Sequence, residues 1–246
     1  MSQSQDKEAI LAIGAHPDDL ECTCAGTLAA LARRGYEVHM AVVTNGSCGS
    51  YTQDGPTIAR IRLAEARRAA EICGAKSFHH LGMPDQGAED TIERRRELVD
   101  LMRRLKATIL LGHAPGDYHV DHRLAHALTF AARCAGAAPN FGTEPPLPRM
   151  PHLAYFDNEQ GLDFEPHIWV DITETMEIKQ QMLAAHASQT TLMHDMYGED
   201  LLEMIDRLAH FRGGQRGCRY AEVFRGCGTY PEPDGAIRFL IRALEG

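Results

Sequence analysis

Four times in the first 135 residues a short apolar run gives way to a polar, turn-prone stretch and then to a longer segment of helical character. The runs lie at 10–13, 38–44, 78–81 and 108–111. They show little polar–apolar alternation, which fits strands buried on both faces of a parallel sheet. The intervening segments carry helix punctuation. Gly35 closes 26–34 and Gly74 stops 57–73, Thr91 caps a charged helix running to 106, and a fourth helix covers 121–134. Strand–helix alternation of this kind predicts an α/β fold: a Rossmann-like, doubly wound, mostly parallel sheet with helices on both faces. The handedness of such connections puts every strand exit on one side, where ligands bind.

The pattern loosens afterwards. Residues 135–151 are rich in Pro, Gly and Ala and read as a loop. Two strands follow at 152–156 and 166–170, then helices at 173–187 and 201–211 and a last strand at 220–224. Residues 1–246 read as one domain, with its motif-bearing core at about 9–226. The tail beyond Pro231 is expected to pack on a neighbouring subunit, and the loop-rich C-terminal third offers surfaces for a homo-oligomer.

Composition narrows the partners. The 246 residues carry a net charge of −9, which gives no basic footprint for nucleic acid or an anionic membrane. No apolar run approaches the roughly 18 residues needed to span a bilayer. The first ten residues lack the layout of a secretory leader. Seven scattered cysteines imply reduced thiols and a cytoplasmic protein, and the spacing of Cys22 and Cys24 is not that of a zinc knuckle. The expected ligand is a small molecule.

Two strand exits carry the chemistry. The first run breaks at Gly14 and Pro17 and delivers His16, Asp18 and Asp19. The fourth leads into Asp117-Tyr118-His119-Val120-Asp121-His122. A catalytic zinc takes three ligands from His and carboxylate and keeps one position open; His16, Asp19 and His122 supply that set. Asp18, beside a ligand but free of the metal, suits a general base for water whose pKa the metal lowers from 15.7 to about 7. His119 suits a second electrophile for the oxyanion, with Asp121 bonding its other ring nitrogen. Singly, each has a bland reading: His16 as a strand-end histidine, Asp19 and Asp121 as helix caps. Their pairing at two exits favours the metal site. His39, His79, His80, His113, His126, His152, His167, His194 and His210 lack such context and are read as surface or packing residues. Iron, cobalt or manganese would also suit a His/His/Asp site.

These residues resemble a known family. Ala15-His16-Pro17-Asp18-Asp19 with Glu21, and His119-Val120-Asp121-His122, are similar to the paired signatures of the PIG-L/LmbE-like deacetylases. Softer similarities lie at Gly26-Thr27-Leu28, Val43-Thr44-Asn45-Gly46, Arg62-Leu63-Ala64-Glu65, Leu81-Gly82-Met83-Pro84-Asp85, Lys179, His186-Ala187-Ser188-Gln189 and Ala221-Glu222-Val223-Phe224. Many members carry Glu directly after the Asp pair, where this chain has Leu20 and then Glu21. The resemblance implies a zinc-dependent hydrolase that removes an N-acetyl group from an amino sugar or its conjugate. It places the ligands at His16, Asp19 and His122, the base at Asp18, the oxyanion-stabilising histidine at His119 with Asp121 behind it, and substrate contacts at Arg62 and Asp85. The same fold and metal site would also serve a conjugate amidase acting on a non-sugar amide, or a hydratase of an unsaturated acid. A non-catalytic nucleotide-binding protein is disfavoured, because no G-x-G-x-x-G follows the first strand.

Overall fold

The computed structural model describes residues 8–244; the start of the chain, where no leader pattern is read, lies largely outside them. Ile10, Leu11, Ala12 and Ile13 are all fully buried because β1 (Ala9–Gly14) is an interior strand covered on both faces. Side chains alternate across a strand. Ile10 and Ala12 therefore join one apolar layer with Leu28 and Leu31, while Leu11 and Ile13 join the other with Leu98, Met102 and Leu128.

The remaining elements follow in chain order: α1 (Asp19–Thr23), α2 (Ala25–Arg33), β2 (Glu37–Thr44), α3 (Gly55–Cys73), β3 (Ser77–Met83), α4 (Ile92–Arg104), β4 (Ile109–Gly112) and α5 (Val120–Ala135). Then come β5 (His152–Phe156), β6 (Ile168–Asp171), α6 (Met176–Ala184), α7 (Ala187–Tyr197), α8 (Leu201–Arg216), β7 (Ala221–Gly226) and α9 (Gly235–Leu244). The sheet order is β3-β2-β1-β4-β5-β7-β6. β1 pairs in parallel with β2 and β4, β2 with β3, and β4 with β5. β7 runs antiparallel to both of its neighbours. The mostly parallel, doubly wound sheet expected from the sequence is what forms. Helices α4 and α5 cover one face; α2, α3, α6, α8 and α9 supply the other.

Local chemistry sets the ends. Asp54 accepts the Thr57 amide at 2.8 Å and caps α3, whose first turn holds Pro56; Gly74 closes that helix at φ +76°. Three elements depart from the sequence reading. Five residues, Asp19–Thr23, form the separate helix α1. The helix expected over 173–187 breaks at Ala185–His186, and α7 continues to Tyr197 with only Gln189 buried, so no apolar stripe marks it. The tail, expected to pack on a neighbouring subunit, buries its apolar face on its own chain: Ala236, Ile237, Phe239, Leu240 and Ala243 of α9 lie in the layer with Phe156 and Phe224. No helix among the described residues is long and apolar enough to cross a membrane.

The chain leaves β1 toward β2 and β3 on one side and reaches β4 and β5 on the other. The crevice beyond the carboxyl ends of β1 and β4 is the topological switch point where open α/β sheets bind ligands.

Candidate functional site

The first strand exit is built around Asp19. A Cβ at Gly14 would lie 3.1 Å from Asp19 Cβ, so the turn after β1 closes tightly over this carboxylate. Asp19 Oδ2 accepts the amides of Ala15 and His16, each at 2.7 Å, and lies 3.0 Å from His113 Nε2. Its other oxygen, Oδ1, lies 3.6 Å from His16 Nδ1 and 3.4 Å from His122 Nε2. The second nitrogen of each ring is tied outward: His122 Nδ1 is 3.0 Å from Asp117 Oδ1, and His16 Nε2 is 3.2 Å from Asp121 Oδ2 and 3.3 Å from Asp85 Oδ1. Carboxylates behind imidazoles orient their free nitrogens, as metal-ligating histidines require.

Three overlapping groups each bring one donor atom per residue within 4.8 Å of the others: His16/His119/His122, Asp19/His113/His122 and His16/Asp85/Asp121. None of these groups is the set read from the sequence; His16, Asp19 and His122 are neighbours through Asp19 Oδ1, which lies within 3.6 Å of a nitrogen of each ring. The donor chemistry fits a divalent transition metal. Burial opposes charge on Asp19, but His122, His16 and His113 outweigh it and hold the carboxyl well below its usual range. Burial likewise opposes a cationic His122, yet Asp19 and Asp117 hold that ring's pKa up to about 10. A metal ion would compete with protons for these rings.

Asp18 faces a different partner. Its carboxylate meets the Arg62 guanidinium at 3.1 Å, and the same nitrogen donates to the Pro17 carbonyl at 3.1 Å. Arg62 is buried, and its other terminal nitrogen donates to Gly46 O at 3.2 Å. Gly46 makes this approach feasible: it sits at φ +66°, and a Cβ there would come within 2.8 Å of the guanidinium. Burial raises the Asp18 carboxyl pKa, and Arg62 opposes that rise. The two residues that the family resemblance assigns to substrate thus also hold the turn. Arg62 grips Asp18; Asp85 accepts the Cys48 amide at 3.0 Å and backs His16.

The pairing expected between His119 and the Asp121 carboxylate is not what forms. His119 Nδ1 accepts the Asp121 backbone amide at 3.1 Å, because His119 occupies the N-cap of α5. The Asp121 carboxylate instead binds His16 and the Gln86 amide. Since Nδ1 is an acceptor, the neutral ring carries its proton on Nε2. Burial and the neighbouring His16 and His122 lower the His119 pKa and favour that neutral form.

These groups line a cavity of about 320 Å³. Met193, Leu201 and Met204, together with Cys22, give it an apolar wall; Tyr118, Glu159 and Gln160 close the side beyond β5. Three members of the site carry no role in the sequence reading. His113 is read there as a packing residue, yet it directly follows β4 and is bonded to Asp19. Asp117 backs His122. Glu159 sits beyond the exit of β5. Their signal was position after a strand, visible once β4 and β5 are placed beside β1.

The softer motifs pair with one another around this floor. Glu65 accepts the Ser188 amide at 2.9 Å and its hydroxyl at 2.6 Å, capping α7. Lys179 binds Glu222 at 2.6 Å and the Cys22 carbonyl at 2.8 Å, while Glu222 accepts the Gly26 and Thr27 amides at the start of α2. His186 lies 3.5 Å from Glu21, both buried.

Comparison with known proteins agrees with this geometry. Residues 11–133 match the family model PIG-L, described as GlcNAc-PI de-N-acetylase. The chain is 32% identical over 234 residues to diacetylchitobiose deacetylase of Thermococcus kodakarensis, covering 89% of this chain and 83% of that protein. It is 28% identical to 4-oxalmesaconate hydratase of Pseudomonas putida, covering 85% and 81%. Among solved structures, N,N'-diacetylchitobiose deacetylase from Pyrococcus horikoshii superposes with a TM-score of 0.78 at 26% identity, covering 90% of this chain and 84% of that one. A matched family model, the extent of these relatives and the shared fold lead to one conclusion: the chain belongs to the PIG-L (GlcNAc-PI de-N-acetylase) family.

Proposed function

We propose that this protein is a metal-dependent hydrolase that removes the N-acetyl group of an amino sugar or a small amino-sugar conjugate. The observation that carries the reading is Asp18. It is a carboxylate adjacent in sequence to Asp19 that is excluded from the histidine cluster, held by Arg62 and exposed to the cavity.

His16, Asp19 and His122 would hold the metal, with zinc the expected ion. When bound, such an ion acidifies water and polarises a carbonyl. The chain's own residues do the rest. Asp18 takes a proton from the attacking water as its oxygen adds to the amide carbon. His119, with its proton on Nε2, donates to the carbonyl oxygen as negative charge builds there. Asp18 then passes its proton to the departing nitrogen; the C–N bond breaks, and acetate and the free amine leave. Asp121 and Asp85 fix His16, Asp117 fixes His122, and His113 fixes Asp19. Arg62 and Asp85 remain substrate contacts in this reading, since both line the cavity beside Asp18 and His119.

The hydratase relative motivates a second reading, addition of water to an unsaturated acid. The cavity charge favours the amide. Asp18, Asp85 and Glu159 line it, and its lysine and arginine complement is Arg62 alone, whose charge is offset by Asp18. Away from the histidine cluster, Asp85 and Glu159 on the cavity wall would repel the second carboxylate of a dicarboxylic acid. Seven free cysteines suit a reducing compartment, and we assign the enzyme to the cytoplasm on that ground. The test is a panel of N-acetylated sugars beside an unsaturated dicarboxylic acid. The proposal expects free amine and acetate from a sugar; hydration of the acid without amine release would replace it.

A further inference from the structure

Resting on the deacetylase reading, we infer that Glu159, on the loop beyond β5, is a specificity-determining residue that grips the hydroxyls of a sugar ring. The substrate class it selects is therefore a polyhydroxylated acetamide rather than an apolar or a cationic one.

The loop that carries Glu159 is braced on both sides. Asp157 is buried and its Oδ2 takes Arg212 Nε at 2.9 Å, while its Oδ1 accepts the Asn158 amide at 2.9 Å. Asn158 is buried too. Its Oδ1 accepts the amides of Gln160 and Leu162 at 3.1 and 3.3 Å, and its Nδ2 donates to the Leu162 carbonyl at 2.7 Å. Arg212 also donates to Gly161 O at 3.2 Å, so α8 anchors the far end of the turn. A segment with this much internal bonding presents its side chain in one place, as a binding group requires.

Glu159 lines the same cavity as Asp18 and His119. Its Oε2 accepts the Tyr118 hydroxyl at 3.1 Å. Tyr118 and the residue's own backbone amide bond to this carboxylate, and Arg62 on the cavity wall is already engaged with Asp18. An ionised carboxylate is acceptor-only, with about four lone-pair directions. Tyr118 and the backbone amide take part of that capacity, and the rest is left to accept donors from a ligand. The Tyr118 oxygen, having donated its proton to Glu159, keeps its lone pairs, and the side chain of Gln160 offers both a donor and an acceptor on the same wall. Neighbouring ring hydroxyls are paired donors that fit this arrangement. An alkyl group would leave the carboxylate unsatisfied, and sites built to bond a hydroxyl reject the analogue that lacks it.

The experiment compares kcat/KM for N-acetylglucosamine, N-acetylcyclohexylamine and a singly N-acetylated diamine in wild type, Glu159→Gln and Tyr118→Phe, with zinc content and circular dichroism as controls of folding. Wild type is expected to favour the sugar over the hydroxyl-free ring. Glu159→Gln is expected to lower that preference roughly tenfold to a hundredfold, the span of a lost hydrogen bond to a charged group; Tyr118→Phe is expected to lower it less. A residue that serves only to hold the loop would depress both substrates equally, and an unchanged ratio overturns the inference. So does a wild-type preference for the acetylated diamine that Glu159→Gln abolishes, because the carboxylate would then select a cation. If wild type releases amine from none of the three, nor from diacetylchitobiose assayed beside them, the deacetylase reading itself fails; release from the cyclohexyl amide alone, with no preference for the sugar, overturns the inference about Glu159.

Discussion

Asp18 sits at φ 144°, a backbone conformation that a side chain disfavours at a cost of about 1–3 kcal/mol. Arg62 offsets that strain from two directions, through the Pro17 carbonyl and the Asp18 carboxylate. A group held this way should be sensitive to small displacements. Arg62→Met is expected to lower kcat about a hundredfold, with Arg62→Lys recovering part of it, since misplacement by an ångström costs on that order. Asp18→Asn should lose about 10²–10⁴-fold in kcat while zinc content stays at the wild-type level, the effect of removing a general base without removing a ligand. His113→Ala acts elsewhere: it removes one of three donors to Asp19 Oδ2 and should weaken zinc binding about 10–100-fold, read by competition with a chelator. At this scale the sequence was informative where residues were adjacent. His16, Asp18, Asp19, His119 and His122 stand in two short runs. His113 and Glu159 were hidden because each is alone in its segment, and their meaning comes from which strands lie side by side. The Asp121 pairing differs from the sequence expectation for a related reason: an i−2 neighbour is close in sequence, but the helix start turns the backbone amide, not the carboxylate, toward His119.

Helices and strands differ in how plainly they could be read. Strands β1, β2 and β4 and the helices after them are legible from apolar runs and capping residues; β3, expected to be buried on both faces, is an edge strand with only Leu81 and Met83 buried. α7 was not, because a helix with one buried residue has no apolar face; it is held instead by Glu65 at its start and Gly198 at its end. The apolar residues of α9 are spaced as a helix face, yet spacing alone could not say that the face returns to its own sheet. Between elements, the buried Lys179–Glu222 pair joins α6, the start of α2 and β7. Lys179→Met would leave the Glu222 carboxylate buried without its cation, a loss of about 3–5 kcal/mol by the general behaviour of broken buried pairs. Urea denaturation of the folded variant should show a midpoint lowered accordingly; an unfolding free energy within a few tenths of a kcal/mol of wild type would mean that the Gly26 and Thr27 amides satisfy Glu222 unaided.

For the whole molecule, the packing of acidic and imidazole groups at one sheet edge sets a pH response. In the metal-free protein, His122 titrates at about 10 and His16 is also raised, against an ordinary value of 6.5. A raised folded-state pKa stabilises fully below the unfolded value and is lost as pH climbs through the folded one. The melting temperature of metal-free protein is therefore expected to fall from about pH 6.5 toward 10, whereas zinc-loaded protein should hold its stability across that range, because the ion takes the place of the protons. Thermal melts of both forms at stepped pH check this, and parallel curves would contradict it. The most direct test of the central claim is a zinc titration of chelator-stripped enzyme, following acetate release from an N-acetylated amino sugar. Activity should rise in proportion to added zinc and level off at about one ion per chain, and a His122→Ala protein should stay inactive throughout. Full acetate release by stripped enzyme with no detectable metal, or undiminished activity in His122→Ala, would contradict it.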